Sequence, residues 1–351
     1  MDKRSTRRSF LKSSALVGAA TVAIPHASYA IHHQSPMVGE IVGYGDHTYR
    51  VDKHWGIQDP GKIPVRHCHE MVQDSKGRLL MSTTHIKNNV IIYDKSGRVL
   101  DTWGTDYPGI HGLTLSNEGG QDFIYLTDTE RHIVCKTTVT GKVIQTFNYP
   151  KEAAVYQDAR QFVPTEVAIA PNGDLYVADG YGENWIIQYD QRGRYIRHFG
   201  GKGDGPDQFD CCHGITVDDR DRKNPTLLIT SRSAQSFKRF TLEGKYLETI
   251  KLPGCWICRP VIKGDLLYFA AIGTKSWWDY DGVLLILDQQ NKVVAAPGAD
   301  QTLFRDNDLS SIVHDGRTFM NPHDVCIDQD ENLYVPQWYS GNTYPIKLGR
   351  V

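Results

Sequence analysis

A strand, a polar turn and a second strand recur six times along this chain, and that recurrence limits what it can fold into. The copies are "HEMVQDSKGRLLMST" from His69, "HGLTLSNEGGQDFIYLTD" from His111, "TEVAIAPNGDLYVAD" from Thr165, "HGITVDDRDRKNPTLLITS" from His213, "RPVIKGDLLYFAA" from Arg259 and "HDVCIDQDENLYVPQ" from His323. Each joins a short apolar run to an Asp/Gly/Asn-rich turn and a second, more apolar run. Third and fourth strands follow, as in "NNVIIYDKSG" with "RVLDTWG" and "NWIIQYDQRG" with "RYIRHFG". Units of four strands, spaced roughly 40–60 residues apart, predict an all-β, six-bladed β-propeller whose blades share their buried faces. The sixth unit runs out of chain after "TYPIKLGRV". Its missing outer strand is expected from "HTYRVDKHWG" (His47–Gly56), so that an N-terminal strand completes the last blade and closes the ring.

The segment ahead of these units has another character. "STRRSFLK" carries the pair Arg7 and Arg8, the run "ALVGAATVAIP" is too short to span a bilayer stably, and "SYA" ends at Ala30. Residues 1–30 are therefore expected to be a twin-arginine signal peptide, and residues 31–351 an exported propeller domain, periplasmic or secreted, with no stable membrane anchor after cleavage. The net charge of −2 gives no footprint for nucleic acid. A small molecule, peptide or glycan at the channel rim is the expected partner of a monomer.

In a propeller the innermost strands line a central channel, and the first residue of each repeat sits at one rim. Those six positions hold His69, His111, Thr165, His213, Arg259 and His323. Four histidines converging on one axis repel when protonated and suit a divalent metal when neutral. The alternative is a ring of channel histidines hydrogen-bonded to water.

Blades such as "PNGDLYVADGYGENWIIQYDQRGRYIRHFG" resemble NHL repeats. The contexts "IHGL" (His111), "CHGI" (His213) and "PHDV" (His323) further resemble the peptidyl-α-hydroxyglycine α-amidating lyases. That resemblance implies zinc, or another divalent metal, on His111, His213 and His323. It also implies a structural calcium on Asp324 with the carbonyls of Met71 and Leu113, Tyr181 of "DGY" as catalytic base, and Arg232 as an active-site cation. His69 offers a fourth metal ligand that the family lacks. A further family arginine aligns with Thr84 and His85, and the lyases have a cysteine where "GYG" has glycine. The implied function is a metal-dependent lyase or hydrolase. The rival readings are a non-catalytic NHL module that binds a protein or glycan around a structural metal, and a lactonase-type hydrolase.

Two other groups of residues leave alternatives open. Cys211 and Cys212 precede one rim position and "CWIC" (Cys255, Cys258) the next, among seven cysteines in all. A cross-blade disulfide, a redox motif or a thiolate–histidine cluster would each use them. Trp277, Trp278 and Tyr280, with Trp338 and Tyr339, fall in rim loops of the last two blades. They either pack those loops or form a stacking floor for a ring, such as a sugar.

Overall fold

The computed structural model describes residues 39–274, 276, 278–300 and 304–351. The expected signal peptide and Trp277 lie outside the described residues. Six antiparallel sheets are arranged as blades, each led from the channel outward by the first strand of its repeat. Blade one starts with Cys68–Gln73, blade two with Ile110–Glu118 and blade three with Glu166–Ile169. Blade four starts with Ile215–Asp218, blade five with Val261–Lys263 and blade six with Cys326–Ile327.

The turns that made the repeat visible are wired alike. Asp94 Oδ1 accepts the N–H groups of Ser96 (2.9 Å) and Arg98 (3.2 Å), while Asp94 Oδ2 accepts Arg98 Nε at 3.0 Å. Asp190 does the same for Arg192 and Arg194, at 2.9, 2.9 and 2.7 Å. An aspartate at the first turn position holds the loop's orphan donors, which is why these turns carry so regular a sequence.

Blade six is completed as the sequence predicts. From the channel outward its strands are Cys326–Ile327, Leu333–Val335, Ile346–Arg350, His47–Asp52 and Ile41–Tyr44. Tyr49 pairs with Arg350 and Asp52 with Lys347. The closing strand ends at Asp52, short of Gly56, because the Asp52 carboxylate accepts the N–H groups of His54 and Trp55 at 2.9 and 3.1 Å. Trp55 then wedges between Tyr93 of blade one and Tyr334 of blade six, with ring centroids 5.2 and 4.8 Å away.

The core is a set of clusters between adjacent blades. The largest joins blades five and six and includes Tyr49, Val51, Tyr268, Ile286, Leu333 and Leu348. Tyr49 is 1% exposed, so Tyr49→Ala is expected to cost ~3–5 kcal/mol. Ile41→Ala, at a side chain 45% exposed on the outermost strand, is expected to cost under ~0.5 kcal/mol. Urea unfolding of the two variants checks the ranking, and equal losses would contradict a ring sealed by Tyr49.

Candidate metal centre

The inner strands deliver the rim histidines to one point. In blade one the pairing slips by one residue between Cys68 and Met71, and in blade two between Ile110 and Leu113. Each slip is a β-bulge, which puts two consecutive side chains on the same side of the strand. His69 and Glu70 therefore both enter the channel, one above the other. His213 and His323 lie just ahead of the first strands of blades four and six.

All four histidines are buried. Ring centroids lie 4.6 Å apart for His69–His111, 4.7 Å for His69–His323 and 4.9 Å for His111–His323. The rings of His111 and His213 are 4.7 Å apart, and those of His213 and His323 are 5.0 Å apart. One ligand atom each from His69, His111 and His323 falls within 4.8 Å of the others, and Nε2 of His213 is 3.1 Å from Nε2 of His111. Two nitrogens on one tetrahedral zinc, each bonded at ~2.0 Å, lie ~3.3 Å apart.

Tautomers follow from the neighbours. Nδ1 of His111 is 2.8 Å from the Thr165 carbonyl and Nδ1 of His323 is 3.0 Å from the His69 carbonyl. A carbonyl only accepts, so both Nδ1 atoms carry the proton and both Nε2 atoms offer a lone pair. Nδ1 of His69 and Nδ1 of His213 are buried without a hydrogen-bond partner. That costs ~1–3 kcal/mol each, which a cation relieves for any nitrogen turned toward it. Burial holds every ring neutral: His111 is pushed down to about 3, with the Arg232 charge adding to the effect. His69, His213 and His323 are also lowered far below the usual imidazole range, again chiefly by burial. Neutral imidazoles in an all-nitrogen set fit zinc and its transition-metal neighbours.

Tyr181 and Arg232 stand over this cluster, as the sequence predicts. The Tyr181 hydroxyl is 3.2 Å from Nε2 of His111. It sits on a tight turn in which a Cβ at Gly180 would fall 2.5 Å from the Cys212 carbonyl oxygen, and one at Gly182 1.8 Å from Asp179 Oδ1. The Asp179 carboxylate ties that turn by accepting the N–H groups of Val163 and Glu183, both at 2.6 Å. Gly182 thus has a steric reason of its own at the position where the amidating lyases carry cysteine. Arg232 donates from Nη1 to the Tyr181 oxygen (3.4 Å), from Nε to the Ile257 carbonyl (3.1 Å) and from Nη2 to Cys258 Sγ (3.2 Å). Burial raises the Tyr181 phenol and the Arg232 charge pulls it the other way. Without a further cation, Tyr181 stays protonated.

The calcium expectation meets a different occupant. Asp324 is bridged by Arg259, whose Nη2 lies 2.6 Å from Oδ2 and whose Nε lies 3.1 Å from Oδ1. The same guanidinium donates to the Met71 and Leu113 carbonyls at 3.4 and 3.3 Å, the very oxygens expected to hold calcium. Asp324 is therefore an ion-pair partner, and this arrangement does not fit a calcium ion. Arg259 does not face the histidines, although it occupies the fifth rim position. Two more buried carboxylates surround it, Glu70 at 3.1 Å and Glu166 at 3.6 Å. Sequence reasoning missed both, yet the signal was present: an acid directly follows the rim residue in "HE", "TE" and "HD".

The remaining expectations resolve unevenly. Cys258 takes its hydrogen bond from Arg232, and Cys255 is buried in the core between blades four and five; both are thiols. Trp338, Tyr339 and Trp278 gather with His67 at one side of the mouth. Tyr339 stacks on His67 at 5.7 Å, and Trp278, 63% exposed, meets Tyr339 edge-on at 5.1 Å. Thr84 Oγ1 donates to the Arg66 carbonyl at 3.0 Å; His67 and His85 are lowered chiefly by burial, with the Arg66 charge adding at His67 and those of Lys87 and Arg66 at His85. An exposed arginine thus stands beside the position where the family resemblance implies one.

Residues 165–344, just over half of the chain, match the family described as a 6-bladed beta-propeller (DUF5128), and the chain belongs to it. The human "NHL repeat-containing protein 3" is 24% identical over 191 residues, which are 46% of this chain and 55% of that protein. A probable peptidyl-alpha-hydroxyglycine alpha-amidating lyase of Caenorhabditis elegans is 30% identical over 138 residues, 38% of each chain. The chain thus matches about half or less of the length of these relatives. Among solved structures, a gluconolactonase of Xanthomonas campestris superposes with a TM-score of 0.59 at 10% identity, covering 86% of this chain and 89% of that one. That likeness is one of fold.

Two outcomes test the centre. Elemental analysis of purified protein is expected to find one transition metal per chain, lost in His111→Ala and in His213→Ala while circular dichroism is retained. Metal-free protein should also lose stability as pH falls. Folded His111 binds its proton only near pH 3, whereas an unfolded imidazole does so near 6.5. Between those values the unfolded chain holds more protons, so acid favours unfolding, by up to ~1.4 kcal/mol per pH unit for each such histidine. Thermal melts from pH 7 to pH 4 should slope less steeply for His111→Gln than for the parent.

Proposed function

We propose that the protein is an exported, metal-dependent lyase or hydrolase acting on a small molecule, peptide or glycan at the histidine mouth of the channel. One juxtaposition carries this reading: the Tyr181 hydroxyl lies between Nε2 of His111 at 3.2 Å and Nη1 of Arg232 at 3.4 Å. A divalent metal such as zinc, held by His111, His213 and His323 with His69 beside them, would supply Lewis acidity toward a substrate oxygen and charge that favours a phenolate.

The chain's own residues do the rest. Tyr181 is the group that gives up and regains a proton at its hydroxyl oxygen, within reach of a substrate placed over the histidines. Arg232 is pinned at Nε and Nη2, so its Nη1 stays aimed at that oxygen and stabilises the anion as it forms. Arg66 gives the mouth a positive edge for an anionic substrate group, and the Trp278–Tyr339 pair offers a flat apolar one. The amidating lyases among the relatives support the lyase side of the reading, and "STRRSFLK" supports export. The second reading, a non-catalytic module with a structural metal, draws on the human NHL relative and on the exposed aromatic rim.

Tyr181→Phe separates the two. It should keep its full metal content and lose ~10²–10⁴-fold in kcat against a panel of α-hydroxyamides, esters and lactones. Undiminished turnover would remove Tyr181 from the chemistry. A binder with no turnover in the parent protein, equally tight in the variant, would favour the module.

A further inference from the structure

Below the histidines, five oxygen donors from four blades point at one place. They are the carboxylates of Glu70, Glu166 and Asp324 and the carbonyls of Met71 and Leu113, all within 3.6 Å of an Arg259 guanidinium nitrogen. Carboxylates and main-chain carbonyls converging in this way are the ligand set of a hard divalent cation. We infer that the Arg259 guanidinium is the channel's resident cation, filling an oxygen cage of the calcium type, so that the propeller holds its shape without calcium and its channel is closed beneath the histidines.

Charge and hydrogen bonding agree with a permanent occupant. Asp324 Oδ2 also accepts the Met71 N–H at 3.0 Å, and Glu70 Oε2 accepts the Leu113 N–H at 2.7 Å. Glu166 Oε1 takes Thr114 Oγ1 at 2.8 Å. Three carboxyl groups from three blades thus face one guanidinium. A dication would meet the same oxygens with one positive charge more, which is why the cage would accept it once the guanidinium is gone.

The guanidinium also divides the channel. A cavity of about 1070 Å³ opens at the far face, past Asp74, Asn117 and Asn172, and reaches Met71 and Arg259. None of the four histidines lines it.

The test uses the full chain in three forms. Purified wild-type protein should contain no stoichiometric calcium, and its Tm should not move with CaCl2. Arg259→Ala should melt lower than wild type, bind calcium by titration calorimetry and gain about 5 °C in Tm at saturating CaCl2. Adding Glu70→Gln to Arg259→Ala should remove most of that gain. Calcium in the wild type at one per chain would overturn the inference, and so would a folded Arg259→Ala that ignores CaCl2. If Arg259→Ala does not fold, the wild-type calcium content and the Tm of Arg259→Lys, expected below wild type, still decide it.

Discussion

Arg259 lies out of water among Glu70, Glu166 and Asp324, and the inner strands of blades one, two, three, five and six meet through it. A buried guanidinium is tolerable only when nearly all its donors are matched, because desolvating it costs several kcal/mol. Here the bidentate pair with Asp324, the contact with Glu70 and two main-chain carbonyls meet that requirement. Glu70 follows His69 and Asp324 follows His323, so the ion cluster fixes the strand positions from which the rim imidazoles are offered. The rim imidazoles stay neutral because they are buried, and the charges of Arg232 above and Arg259 below add to that effect.

Much of this was legible in the sequence. The repeat gave the blades, the missing strand gave the closure, and the four rim histidines meet as the spacing required. The failures have separate physical origins. Strand residues alternate sides, so Glu70 should face away from the channel if His69 faces in; the bulge at that pair overrides the alternation. Arg259 was placed at the correct rim position, but its long side chain can reach either tier and sequence says nothing of which. Asp324 was read as a calcium ligand, and its carboxylate is instead paired with the Arg259 guanidinium. The pairing of Cys258 with Arg232 was illegible because it depends on how two neighbouring blades turn toward each other.

The mouth of the channel holds some of the chain's strained backbone. His67, Cys211 and Tyr339 all have left-handed φ values, 46°, 64° and 48°, without being glycine. Such conformations persist where surrounding contacts over-determine them, and they cluster at working sites. The stacking of His67 on Tyr339 joins two such residues across the seam between blades six and one. The rim is therefore held in shape at the side where a substrate would meet the aromatic pair.

That seam also sets an order of events in folding. The strand His47–Asp52 pairs locally with Ile41–Tyr44, but it must wait for Ile346–Arg350, some three hundred positions later in the chain, before it joins blade six. Contacts of such sequence separation form late and slowly. His69 and His323 come from the two blades flanking the seam, so their meeting depends on that last pairing. The histidine cluster is thereby a readout of completed folding: a chain lacking its final strand would present blades but would not bring His69 and His323 together.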